Sequence, residues 1–192
     1  MKKPLILVTN DDGITAPGLR ALISYMKEIG DVVVVAPDSP QSGMGHAITI
    51  DSTLYSKKVV IDSEDTKTQE YSCSGTPADC VKLGLQELLD RKPDLCVSGI
   101  NHGSNSSINV IYSGTMSAAI EAGIEGIPAI GFSLCDYSWN ADFSPAKNDI
   151  QKIVREALKN GIPTGVVLNV NIPKLNKEDL KGIKICRQAR AN

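Results

Sequence analysis

Three polar, glycine-rich segments each follow directly on a run of apolar residues, and they carry the side chains best suited to chemistry. The segments are Asn10–Gly13, Pro37–His46 and Ser98–Asn105. Continuous apolar runs are typical of strands buried on both faces of a parallel sheet. Ligands of such sheets bind beyond the carboxyl ends of the strands, so we expect these segments to meet at one edge.

The first segment contains two adjacent carboxylates, Asp11 and Asp12, with no Lys or Arg close by in the sequence. Their repulsion can be relieved by solvent, a basic partner or a divalent cation. The Ser42 hydroxyl and the Asn101 amide oxygen are natural co-ligands, and an all-oxygen set suits Mg²⁺, Mn²⁺ or Ca²⁺ better than Zn²⁺. For the tetrapeptide Asn-Asp-Asp-Gly alone, a solvated turn is an equal alternative.

The segment around Ser113, Gly114 and Thr115 reads as a helix start, where hydroxyls and free backbone amides suit a bound phosphate. Taken alone, ordinary helix capping by Ser113 is the simpler interpretation. The two histidines, His46 and His102, both lie in the glycine-rich segments. His46 is a candidate proton carrier, although loop histidines are often only surface residues.

Strand and helix patterns alternate along the chain. Leu5–Thr9 and Val32–Ala36 predict buried strands, and the apolar spacing from Pro17 to Gly30 predicts a helix between them. Further strands are predicted at Leu95–Ser98, Ala129–Phe132, Val166–Val170 and Ile183–Ile185, with helices from Thr76, Ser113 and Ser144. The stretch from Ile48 to Cys73 predicts an inserted β-hairpin region. This order predicts a three-layer, doubly wound (Rossmann-like) α/β fold with a mostly parallel sheet.

Composition favours one domain over residues 1–192, with 42% hydrophobic residues available for its core. The formal charge of -2 provides no field to grip a nucleic-acid polymer or an anionic membrane. Apolar runs stay well short of the roughly 18 residues that a membrane helix needs, so we expect a cytoplasmic protein. The five cysteines are odd in number and form no C-x-x-C pair, so we expect them, like Trp139, to be packing residues.

The motifs together resemble those of the SurE family of survival-protein nucleotidases. The similar segments keep the family's order from about Leu5 to Gln188. They are Val8–Gly13, Val35–Asp38, Gln41-Ser42, Gly45-His46, Ser74–Val81, Ser98–Asn105 and Tyr112–Thr115. Because so many motifs match in order, the resemblance is specific.

The resemblance implies a 5'-nucleotidase, a phosphoric monoester hydrolase that releases phosphate from nucleoside 5'- and 3'-monophosphates with Mg²⁺ or Mn²⁺. Some family members are also exopolyphosphatases. The metal ligands that it implies are Asp11, Asp12, Ser42 and Asn101, with the two aspartates at the catalytic centre. The phosphate-binding residues that it implies are Asn105, Ser113, Gly114 and Thr115.

The resemblance also bears on assembly. Family members usually continue for some tens of residues with an extension that exchanges between subunits, and a homodimer or homotetramer is therefore expected. This sequence stops at Ala191-Asn192 without that extension, which puts the tetramer in question.

Two other classes of protein share the predicted fold. A receiver domain also has an acidic pair after its first strand, but here the Leu95 strand ends without an acceptor aspartate and Phe132-Ser133-Leu134 lacks the expected lysine. A dinucleotide-binding oxidoreductase requires a G-x-G-x-x-G fingerprint, and none follows the first strand. A nucleotide-binding module without catalysis is a further alternative that only turnover can separate from an enzyme.

Overall fold

Strands and helices alternate along residues 3–189, the part of the chain that this computed structural model describes. The strands are β1 (Leu5–Thr9), β2 (Asp31–Pro37), β3 (Ser56–Val59), β4 (Gln69–Cys73), β5 (Leu95–His102), β6 (Ala129–Cys135) and β7 (Leu168–Pro173). The α-helices are α1 (Pro17–Lys27), α2 (Pro77–Leu83), α3 (Gly114–Ile124) and α4 (Lys147–Asn160). The chain end at Ala191-Asn192 lies outside the described residues.

The strands form one sheet in the order β3-β4-β2-β1-β5-β6-β7. Every neighbouring pair is parallel except β3 and β4, which are antiparallel at one edge. After β4 the chain crosses to the far side of β1 and continues outward through β5, β6 and β7. The order therefore reverses between β1 and β5, and this switch point is where open α/β sheets bind ligands.

Helices cover both faces of the sheet because consecutive residues of the central strands point to opposite sides. On β1, Ile6 and Val8 belong to the core beneath α1 and α4, whereas Leu7 belongs to the core beneath α2 and α3. All three side chains are fully buried. Burial of such a side chain stabilises the fold by about 1.5–3 kcal/mol, and the result is the predicted three-layer, doubly wound architecture.

The first helix is held close to the end of β5. Pro17 occupies the first turn of α1, where its missing N–H costs nothing, and Leu19, Leu22 and Met26 are fully buried at helical spacing. A Cβ placed on Gly18 would lie 2.1 Å from the carbonyl oxygen of Ile100. Only glycine permits this approach, which fixes α1 against the rim that carries the polar segments.

The region after β2 contains the predicted hairpin, with one difference. β3 and β4 pair antiparallel as expected, but β4 also joins the main sheet, parallel to β2. The strand predicted at Ile183–Ile185 is wrong, since β7 is the last strand among residues 3–189. Ile185 is 94% exposed, so this short alternating pattern has no buried face to hold it in a sheet.

The burial of individual side chains shows which of the expected packing residues lie in the core. Cys73, Cys80 and Cys96 are buried as expected, but Cys186 is exposed. Trp139 is 96% exposed, so its assignment as a packing residue is wrong. Within residues 3–189, no helix has both the length and the apolarity to cross a membrane.

Candidate active site

The acidic pair follows β1 at the switch point of the sheet. Asp11 is only 4% exposed and Asp12 is half-buried. The preceding Asn10 donates its side-chain amide to the carbonyl of Gly13 over 3.0 Å and so closes the turn that holds both carboxylates. Thr9, the last residue of β1, pairs with Ser98 of β5. The acidic pair therefore lies beside the polar end of β5.

The start of α3 lies against Asp11. Ser113 caps the helix by accepting the N–H of Met116 over 3.0 Å, and the Thr115 hydroxyl donates to Asp11 Oδ1 over 2.6 Å. A Cβ on Gly114 would lie 2.6 Å from the Cβ of Asp11, so only glycine allows this contact. The helix start and the acidic pair, each predicted from sequence, thus form one cluster in which Ser113 also serves as the cap.

Burial dominates the electrostatics of the pair. It raises the pKa of Asp11 to about 6, helped by the charge of Asp12 and opposed by the hydrogen bond from Thr115. Burial also raises the pKa of Asp12, opposed by nearby His102. A divalent cation would favour the ionised form of both groups.

An extra residue in β5 brings Asn101 to the same rim. Ser98 pairs with Gly131 of β6, whereas Asn101 pairs with Ser133, so β5 advances by three residues while β6 advances by two. Such a β-bulge redirects the side chains that follow it. Asn101 donates its amide to the carbonyls of His102 and Gly103 at 2.9 and 3.0 Å, which leaves its amide oxygen as the atom able to bind a cation.

The loop after β2 is joined to Asp11 through the backbone. Gln41 donates its N–H to the Asp11 carbonyl over 2.7 Å, and Gly45 donates to the Tyr112 carbonyl over 3.2 Å. Ser42 is exposed between these two anchors. The structure therefore places its hydroxyl on a segment fixed beside both the acidic pair and the residue before Ser113.

His46 points away from the acidic pair, toward the middle of α3. Its Nε2 lies 2.7 Å from Oε2 of the buried Glu121, whose other oxygen accepts from Lys82 over 2.9 Å. Burial opposes ionisation of Glu121, but the hydrogen bonds from Lys82 and His46 outweigh it and lower the pKa. Glu121 is seven residues past Gly114, about 10 Å along the helix. This geometry favours an anchoring role for His46 over proton transfer.

Asn105 belongs to an amide network that spans β6 and β7. Its side chain donates to the Ser133 hydroxyl over 2.8 Å, and its backbone N–H donates to Asn171 Oδ1 over 2.8 Å. Asn169 donates to the Asn105 carbonyl over 2.9 Å. The buried Asn105 is thus held rigidly on the β6 side of the rim.

The donor atoms present fit a hard divalent cation. Two carboxylates, a hydroxyl and an amide oxygen lie on segments at one switch point, and no group of three or more His, Cys, Asp or Glu forms a metal cluster among residues 3–189. In the same part of the chain, Thr9 Oγ1, Asn10 Oδ1 and Ser98 Oγ are buried without a protein partner. Buried polar atoms are normally satisfied, so their position at these strand ends fits water or ligand at this point.

Comparison with known proteins identifies the family. A model of the family described as "Survival protein SurE" matches residues 6–192. The chain belongs to the SurE family. A relative from Christiangramia forsetii, named 5'-nucleotidase SurE, is 74% identical over 191 residues, which is 100% of this chain and 73% of the relative. A relative of the same name from Bacteroides thetaiotaomicron is 50% identical over 98% of this chain and 71% of its own length.

A solved structure agrees with the SurE assignment. The SurE protein from Aquifex aeolicus superposes with a TM-score of 0.87 at 45% sequence identity, over 97% of this chain and 73% of the other. The predicted family and fold are therefore confirmed. The predicted enzyme class, 5'-nucleotidase, is the one in the names of the SurE relatives. The family found is therefore neither of the two alternatives considered from the sequence, the receiver domains and the dinucleotide-binding oxidoreductases.

Sequence reasoning missed several residues that support the segments of the SurE rim. Glu121 was read only as part of a helix and Asn169 only as part of a strand, and Asn171 lay just beyond the strand predicted at Val166–Val170. A signal for the asparagines was available, because Asn is depleted in strands and the two are spaced to share one face. Glu121 offered no such signal, since charged residues are common on helices.

Proposed function

We propose that this SurE protein is a metal-dependent phosphatase that hydrolyses nucleoside 5'- and 3'-monophosphates to nucleoside and phosphate. The hydrogen bond from Thr115 to Asp11 carries this proposal, because it joins a helix start suited to phosphate with a carboxylate suited to a cation. The names of the close relatives support the nucleotidase activity. Exopolyphosphatase activity is a further expectation from the family resemblance.

Four residues would hold the cation, and they supply only oxygen atoms. We assign this role to Asp11, Asp12, Ser42 and Asn101, with Mg²⁺ or Mn²⁺ as the ion. When bound, a divalent cation offsets the charge of the phosphoryl oxygens and makes a water molecule a better nucleophile. Thr115 orients one carboxylate oxygen of Asp11, and Asn101 is oriented by its two backbone contacts.

The remaining residues would bind and orient the phosphate. The backbone amides of Gly114 and Thr115 begin α3, where the helix dipole favours an anion. Ser113 and Asn105 line the same rim, and the Asn105 side chain is fixed by Ser133. The phosphate would therefore lie between the start of α3 and the acidic pair.

Direct attack by water is favoured over a phosphorylated aspartate. Asp11 is buried, its Oδ1 already accepts a hydrogen bond from Thr115, and Gly114 lies directly against its side chain. A carboxylate committed to a hydrogen bond and a cation is a poor nucleophile. In-line attack by water requires only positioning and charge stabilisation, which this rim provides.

Phosphate release from a panel of 5'- and 3'-nucleoside monophosphates and a polyphosphate tests the activity. We expect multiple turnovers on the monophosphates with Mg²⁺ or Mn²⁺, and loss of activity with EDTA. Zn²⁺ is the matched metal control, since it prefers nitrogen and sulfur ligands. Nucleotide binding without turnover would contradict the enzyme assignment, and full activity in EDTA would contradict the metal.

We propose a homodimer or homotetramer in the cytoplasm, acting on small nucleotides without binding nucleic-acid polymers or membranes. The near-neutral charge balance supports the exclusion of polyanions as partners. Light scattering coupled to size-exclusion chromatography would give the subunit number, and a monomeric mass would contradict the oligomer.

A further inference from the structure

An aromatic ring stands at the rim beside the proposed cation site. Tyr137 follows β6 and is 75% exposed. Its ring lies directly against Gly103, where a Cβ would come within 2.2 Å of ring carbon Cε1. Gly103 in turn accepts the side-chain amide of Asn101 over 3.0 Å. One residue therefore separates the ring from a proposed cation ligand.

Hydrogen bonds fix the position of this ring although most of its surface is open. The N–H of Ser104 donates to the Tyr137 hydroxyl over 3.3 Å. The turn that carries the ring is held by the buried Asp136, whose Oδ1 accepts from the Ser138 N–H over 3.0 Å, the Ser138 hydroxyl over 2.8 Å and Lys174 over 3.0 Å. A ring held at both ends loses little conformational entropy when a ligand packs on it.

We propose that Tyr137 is the platform on which the nucleobase of the substrate stacks, an inference that rests on the nucleotidase activity proposed above. A phosphate held between Asp11 and the start of α3 leaves the nucleoside to extend outward across the rim. Aromatic side chains bind bases through their faces with little dependence on base identity. The Tyr137 platform would thus add affinity for nucleotides in general over simple phosphate esters.

The kinetic test compares AMP with ribose 5-phosphate, which lacks the base. We expect Tyr137→Ala to raise KM for AMP by about 5- to 150-fold, the range for loss of one stacked base, and to leave the kinetics on ribose 5-phosphate unchanged. Tyr137→Phe keeps the ring and should retain most of the AMP affinity. Trp139→Ala, on the same turn and 96% exposed, is the matched control and should behave as wild type.

Several results would contradict the proposal that Tyr137 stacks on the nucleobase. Equal losses on both substrates would assign Tyr137 to the support of Gly103 and Asn101, and a loss confined to Trp139→Ala would transfer the role to that ring. Unchanged AMP kinetics with an altered oligomer mass would make Tyr137 a subunit contact.

Calorimetry separates this inference from the proposed function. Adenosine keeps the base and has no phosphate to lose, so its dissociation constant needs no turnover, and an inactive wild type would defeat the proposed function alone. An unchanged dissociation constant for adenosine in Tyr137→Ala would defeat the stacking platform.

Discussion

Replacing Thr115 with valine removes the hydroxyl that donates to Asp11 Oδ1 over 2.6 Å and keeps the branched shape of the side chain. Thr115 is fully buried, so solvent cannot readily replace the lost donor. A hydrogen bond to a charged group contributes about 1.5–3 kcal/mol, and about 1.4 kcal/mol corresponds to a tenfold change in affinity. We therefore expect Thr115→Val to weaken Mn²⁺ binding by about 10- to 100-fold, as for other partners of metal ligands.

The assay is calorimetric titration with Mn²⁺, together with the Mn²⁺ dependence of phosphate release from AMP. Thr115→Ser keeps the hydroxyl and is the matched control, so its affinity should stay close to wild type. Thermal melting followed by circular dichroism shows whether both variants are folded. A folded Thr115→Val protein that binds Mn²⁺ as tightly as wild type would refute the role of this hydroxyl in orienting Asp11.

Three further predictions address the same site. Asp11→Asn and Asp12→Asn each remove a negative charge from the ligand set, so phosphate release at saturating Mn²⁺ should fall by orders of magnitude; full activity in a folded variant would contradict the metal assignment. His46→Ala should reduce turnover less than either substitution, because its ring contacts Glu121 rather than the acidic pair; a larger loss would restore the proton-carrier hypothesis. Gly114→Ala should lower AMP turnover and the melting temperature, because the added carbon would lie 2.6 Å from the Asp11 Cβ. An unchanged Gly114→Ala enzyme would show that α3 need not touch Asp11.

The sequence predicted the central strands well because their burial leaves an unbroken apolar signal. Leu5–Thr9 and Val32–Ala36 lie within or match observed strands, and the polar segments after them occupy the expected rim. The position of a segment after a strand was sufficient to place Asp11 near the switch point, whereas Asn101 lies inside β5, which continues to His102 rather than ending at Ser98 as predicted. At these positions the local sequence pattern and the overall fold agree, as expected for a sequence whose native contacts support one another.

Contacts between segments distant in sequence could not be predicted in this way. The bond between His46 and Glu121 joins residues 75 positions apart, and the packing of Tyr137 on Gly103 depends on a turn without regular periodicity. The strand predicted at Ile183–Ile185 did not form, because a short alternating pattern becomes a strand only where a partner strand lies beside it. Such outcomes depend on tertiary context rather than on the propensity of a short segment.

The extra residue in β5 makes the length of the chain, as well as residue identity, a determinant of this site. If β5 and β6 kept regular pairing after Ser98, Ile100 rather than Asn101 would stand opposite Ser133. Deleting one residue between Ser98 and Asn101 would remove the bulge, so Asn101 would still stand opposite Ser133 but its side chain would point in a different direction. Insertions and deletions that a surface loop would tolerate should be selected against at this point.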